Sequence, residues 1–164
     1  MKKLLSLVMA SMALLALPGC GGVNVVDYND QLVYLQKICY DAENTMMNAR
    51  EQENYGQVKT LYPSTLATCT QAQADLAVID AYDGDSTLRD AFDAELQLEV
   101  AYLQKLGEAI TYWDYDTLTE DQQATEDALW TEISTLEDQL ATAYEVSEAV
   151  QQEFATKHRY KLKD

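Results

Sequence analysis

The sequence predicts an all-α fold, an antiparallel up-down-up-down four-helix bundle. Three observations carry that expectation. Apolar residues recur three and four apart over long stretches, the spacing that lines one face of a helix. Proline stands only at 18 and 63, and glycine beyond residue 22 only at 56, 84 and 107, so few points interrupt a helix. No stretch alternates apolar and polar residues as a half-buried strand does. Four helices with mostly short connectors pack as antiparallel neighbours.

The first helix is predicted from about Asn24 to Tyr55. Its seam reads Val25, Tyr28, Leu32, Leu35, Cys39, Ala42, Met46 and Ala49, and Gly56 is placed as its C-terminal cap. Residues 57–63 read as a connector ending in Tyr62-Pro63, because the residue before proline disfavours helical backbone; bringing Cys69 level with Cys39 needs this connector either extended or itself helical. Ser64 then opens a shorter helix to about Tyr82, with seam Thr65, Cys69, Ala72, Leu76 and Ile79. The small residues Ala67, Ala72, Ala74 and Ala77 would admit a close neighbour. Asp83-Gly84-Asp85 makes a turn, with Asp85 or Ser86 as N-cap.

A third helix spans about Ser86 to Asp114. Its stripe is Phe92, Leu96, Leu103, Leu106, Ile110 and Trp113, widened by Leu88 and Val100 and interrupted by Glu99. Thr119-Glu120-Asp121-Gln122 is a capping box. The last helix runs from there to about His158, roughly 60 Å. Its seam is Leu129, Ile133, Leu136, Leu140, Ala143, Ser147, Val150 and Phe154. Four antiparallel passes bring the start of the first helix, the 83–85 turn and the C-terminus to one end. Connectors 56–63 and 115–118 go to the other.

Ahead of the bundle, Lys2 and Lys3 precede the apolar run Leu4 to Leu17, which leads into Leu17-Pro18-Gly19-Cys20. The run has the length of a signal h-region and is short for a bilayer span. The tetrapeptide resembles a bacterial lipobox. That resemblance implies that residues 1–19 are a lipoprotein signal peptide, cleaved before Cys20, and that the Cys20 thiol carries a diacyl lipid such as palmitate supplies. Residues 20–23 are then the lipidated cysteine and a short tether, 24–158 the bundle, and 159–164 a basic C-terminal tail. In enterobacteria an Asp after the lipidated cysteine signals inner-membrane retention. Gly21 stands there instead, which favours the outer membrane. Asp27-Tyr28-Asn29-Asp30-Gln31-Leu32-Val33 is similar to the opening of uncharacterised small helical surface lipoproteins, a resemblance that brings no activity with it.

Composition narrows the function classes. Eleven Lys+Arg against 28 Asp+Glu give a net charge of −17, and removing residues 1–19 makes the rest more acidic still. Such a chain is repelled by nucleic acid. An apolar content of 48% argues against disorder. Of three cysteines, Cys39 and Cys69 remain once Cys20 carries lipid, and an exported setting permits a Cys39–Cys69 disulfide; two buried thiols are the alternative.

The candidate sites follow from residue type. Tyr112, Trp113 and Tyr115, with Tyr55 and Tyr62, gather aromatics toward the end away from the tether, as partner-binding candidates for a protein or glycan. Alternatively Trp113 caps the core and the tyrosines pack along helix flanks. Lys157, Arg159, Lys161 and Lys163 crowd the C-terminus, suiting either anionic headgroups or the helix dipole. His158 is the one histidine, which removes the paired Glu-x-x-His and HExxH metal sites; aligning Gly84 with an EF-hand puts Ile79 and Ala81 where ligands are needed. No metal or other cofactor is expected, and no enzymatic activity.

The leading expectation is thus a non-enzymatic, lipid-anchored envelope protein held in the bilayer by acylated Cys20 and working through contacts. The alternative is a bundle holding an apolar small ligand in a cavity lined by Met46, Leu103 and Leu136. Oligomerisation through Val146, Val150 and Phe154 is compatible with the first.

Overall fold

A computed structural model describes residues 23–114 and 117–162. The lipobox with Cys20, Tyr115 of the aromatic candidates and Lys163 of the basic ones lie outside the described residues. Four helices, α1 (Val25–Glu51), α2 (Tyr55–Ala77), α3 (Thr87–Ile110) and α4 (Glu120–Lys157), form the expected antiparallel bundle, and a 3-10 turn, Thr111–Asp114, extends α3. No helix among the described residues is long and apolar enough to cross a membrane.

Local chemistry explains the helix ends. The Asn24 side chain accepts from the amides of Val26 and Asp27, satisfying donors that α1 itself leaves open. α1 stops at Glu51, earlier than expected. Glu53 adopts the left-handed conformation at φ 56°, and the Glu53 and Asn54 amides fold back onto the carbonyls of Arg50 and Ala49. Asn54 then caps α2 by accepting from the Gln57 amide and pairing with the Gln57 side chain. Gly56 therefore sits in the first turn of α2 and is no cap for α1. The expected connector 57–63 is helical, and Pro63 lies inside α2 on its exposed face, where the lost ladder bond is turned toward water. At 1.5 Å per residue, Cys39 stands about 18 Å below the corner on α1 and Cys69 about 21 Å below it on α2. The two meet in a disulfide. Closing a loop of this size stabilises the fold by about 3–4 kcal/mol in the chain-entropy model.

Asp83 and Gly84, both at positive φ, form a two-residue turn closed by reciprocal backbone bonds between Tyr82 and Asp85. Ser86 occupies the N-cap position of α3, but the Asp85 carboxylate supplies the bond to the Thr87 amide. The Thr119–Gln122 capping box opens α4 as expected.

The core runs through Leu32, Cys39, Met46, Cys69, Leu76, Phe92, Leu96, Leu103, Leu106, Ile133 and Phe154, all buried. Ala67, Ala74 and Ala77 are exposed, so the close approach expected of them is not made; Ala72 alone of the four is buried. Helices α1 and α2 pack along each other, as do α2 with α3 and α3 with α4. α4 reaches α1 mainly through long side chains. That spacing leaves Leu136, Leu140, Ala143 and Val150 of its seam half-buried, where periodicity alone had them facing a partner.

One end of the bundle is closed. Gln151 and Tyr160 both donate to the Asn29 side-chain Oδ1, at 2.8 and 3.0 Å, and the rings of Tyr28, Tyr82 and Phe154 lie against one another. Start of α1, turn 83–85 and end of α4 therefore meet, as four antiparallel passes require. Tyr160 docks here too, so the packed unit runs past His158.

Candidate functional site

Two places bring polar or aromatic side chains together from several helices. The first is the open end, formed by the α1–α2 corner, the 3-10 turn and the start of α4. Tyr55, 48% exposed, meets Trp113 edge to face at 5.0 Å between centroids. The Arg50 guanidinium sits over the Trp130 ring at 5.1 Å, a cation–π pair. These four side chains line a shallow cleft of about 350 Å³. The expected aromatics divide. Tyr55 and Trp113 are brought together and Tyr112 is half-buried on the same turn. Tyr62 is elsewhere, with its ring pressed on Gly107 in the α2–α3 seam, where an added Cβ would stand 1.9 Å from its Oη. Arg50 and Trp130 were not among the candidates. Their signal was faint: Arg50 is the last cation of α1, and Trp130 adjoins seam position Leu129.

The second place is a groove of about 480 Å³ between α1 and α4, floored by α3. From α1 it takes Tyr40, Glu43 and Met47; from α3, Glu99 and Tyr102; from α4, Glu137, Leu140 and Tyr144. Beside it, fully buried Glu95 accepts from Gln36 at 2.6 Å and from the hydroxyls of Tyr40 and Ser147. Ser147, the polar member of the α4 seam, is explained by that bond. Glu99, 1% exposed, has no such set of donors. It hydrogen-bonds with Glu43, and its Oε1 has no partner among the described residues. Burial, then the neighbouring Glu43, push Glu99 up to about 8, and burial raises Glu43 as well. The two carboxyls share a hydrogen bond, and so a proton, between α1 and α3. Burial likewise raises Tyr40 and Tyr102, and the Tyr102 hydroxyl donates to Met47 Sδ at 3.7 Å.

The cavity expected for an apolar ligand is not this one. Met46 and Leu103 are fully packed in the core, and Leu136 lines a separate surface groove between α3 and α4. Phe154 is 2% exposed, so of the stripe expected to drive oligomerisation only Val146 and, in part, Val150 face outward. Among the basic candidates, Lys157 bonds Asp85 at 2.7 Å, while Arg159 and Lys161 are exposed at the closed end.

For a metal, the described residues offer one trio of ligand types within 4.8 Å, Cys39, Cys69 and Glu99. The two sulfurs are bonded to each other and are not thiolate ligands. No protein-family model, no curated protein and no solved structure matches the chain.

Proposed function

We propose that this chain is a lipid-anchored envelope protein that acts without turnover, by binding a protein partner through the open end of its bundle. The observation that carries the reading is the placement of the Tyr55–Trp113 and Arg50–Trp130 pairs at the pole opposite the start of α1. A lipid on Cys20 would hold the closed end at the bilayer and present that pole outward. Trp, Tyr and Arg are the residue types that dominate binding energy at protein interfaces. Arg159 and Lys161, exposed at the closed end, suit anionic headgroups as a second anchoring signal.

A photo-crosslinker at Tyr55, in cells making the full chain, tests the reading. A discrete adduct is expected there and none from Val78, which is 81% exposed near the closed end. Equal labelling from both positions, or none from either, overturns it. The anchor has its own test: labelled palmitate should enter the wild-type protein and not Cys20→Ser, and equal labelling of both removes the lipobox assignment.

A second reading, that the bundle binds a small ligand between its helices, is favoured by one specific observation. The α1–α3–α4 groove has a volume in the range of small-molecule sites, and combines apolar walls with a few polar groups.

A further inference from the structure

The groove has one sign of charge. Glu43, Glu99 and Glu137 come from three different helices, and no lysine or arginine lines it. Its aromatic walls point the same way. Tyr40 and Tyr144 stand edge to face, 6.4 Å apart, with buried Tyr102 as the third ring. Ring faces carry the negative end of the aromatic quadrupole and attract cations. Glu99 supplies an independent pointer. It is almost wholly buried, and one of its carboxyl oxygens has no donor among the described residues. A buried acceptor of this kind is costly to leave unmet.

We propose that this groove binds a small organic ammonium ion carrying an apolar body, an inference that rests on the small-ligand reading above. The ammonium group donates to Glu43 and Glu137 against the tyrosine rings, taking the place of the proton that Glu43 shares with Glu99, and the apolar body lies on Met47 and Leu140. A divalent metal fits poorly. Calcium requires several oxygens converging around one point, and among the described residues no three of the groove's carboxylates come within 4.8 Å of one another. An ammonium ion with an extended body tolerates carboxylates spread along a cleft.

Binding is linked to protons. The groups facing the Glu43–Glu99 pair are Tyr40 on α1, Glu95 and Tyr102 on α3, and Glu137 and Tyr144 on α4. α2 contributes Cys69, which is in the disulfide and does not titrate. Arg50 acts on this set through Tyr102. An arriving cation therefore meets a site holding a shared proton, and displaces it.

Calorimetric titration of the full chain in zwitterionic nanodiscs tests this, with phenethylamine as the cationic probe and phenethyl alcohol as its neutral counterpart. Phenethylamine is expected to bind saturably, about tenfold or more tighter at pH 8.5 than at pH 6. Exposed Glu137→Gln should weaken it by about fivefold or more, whereas Glu120→Gln, at the exposed start of α4 and outside the groove, should leave it unchanged. Equal affinity for the alcohol overturns the charge assignment and leaves the small-ligand reading standing; binding of neither probe overturns both. Calcium that displaces the amine and binds more tightly overturns the proposal in favour of a metal. Equal losses from the two glutamine variants reduce it to the net charge of the chain.

Discussion

The closed end and the mid-bundle groove each bury an acid, Asp85 at 8% exposure and Glu99 at 1%, and the fold treats them in opposite ways. Asp85 is met by donors on every side: Lys157 at 2.7 Å, His158 at 3.1 Å, and the amide and hydroxyl of Thr87. Those bonds, Lys157 first, hold its carboxyl far below the usual range. Glu99 faces another carboxyl, one of its own oxygens meets no donor among the described residues, and burial drives it upward. Depth differs too: Asp85 lies just beneath the surface beside a largely exposed Lys157, and Glu99 lies within the bundle. Depth and the supply of donors together decide whether a covered acid ties the structure together or stays protonated and available.

Glu95, one turn before Glu99 on the same helix, lets the comparison be broken deliberately. Tyr40→Phe with Ser147→Ala strips two of its three donors, and the double variant should lose about 3–5 kcal/mol in urea unfolding, since donors to a fully buried carboxyl are costly to remove. A loss below about 1 kcal/mol would show that donor supply is not what keeps Glu95 in place. Next in size, Asp85→Ala should cost about 1–3 kcal/mol at pH 7 by removing the α3 cap and the bonds to α4. A carboxyl with a depressed folded-state value stabilises above its ordinary value. The gap between wild type and Asp85→Ala in thermal unfolding should therefore start to narrow below about pH 4, and close only below the folded-state value.

Glu99→Gln should act in the reverse sense. A raised value means that the folded state binds the proton more tightly, so its contribution weakens as pH rises from the ordinary glutamate value through about 8. The glutamine variant should match wild type near pH 5 and exceed it increasingly as pH rises to 8.5 in chemical denaturation. A variant less stable than wild type at both pH values contradicts the donor argument. The smallest effect belongs to Tyr160→Phe, which removes one bond to Asn29 at the closed end and should cost about 1 kcal/mol or less.

Much of the fold was legible in the chain because it is local. The α1 seam from Val25 to Ala49 is inside or nearly so, the Thr119 capping box forms, and Cys39 meets Cys69. The α1–α2 corner was misread because Gly56 is the stronger-looking stop signal. The deciding residues were Asn54 and Gln57, a capping pair that starts a helix, and Glu53, which takes a left-handed conformation that its side chain does not favour. The proline rule failed for the same reason: a helix already capped at Asn54 carries Pro63 on its exposed face. The groove was not legible. Periodicity marks which face of α4 turns inward, but not how far α4 stands from α1. Glu99 was visible only as a break in a stripe, and Glu95 not at all, because their partners lie on other helices, as far as 59 residues away in sequence.

The Cys39–Cys69 bond also guards the open end of the bundle. Every peptide bond of the exposed 51–57 corner lies inside the covalent ring it closes. A protease that nicks this outermost bend cuts the backbone without releasing either fragment, so the scissored molecule keeps its full mass on a gel until a reductant separates the halves.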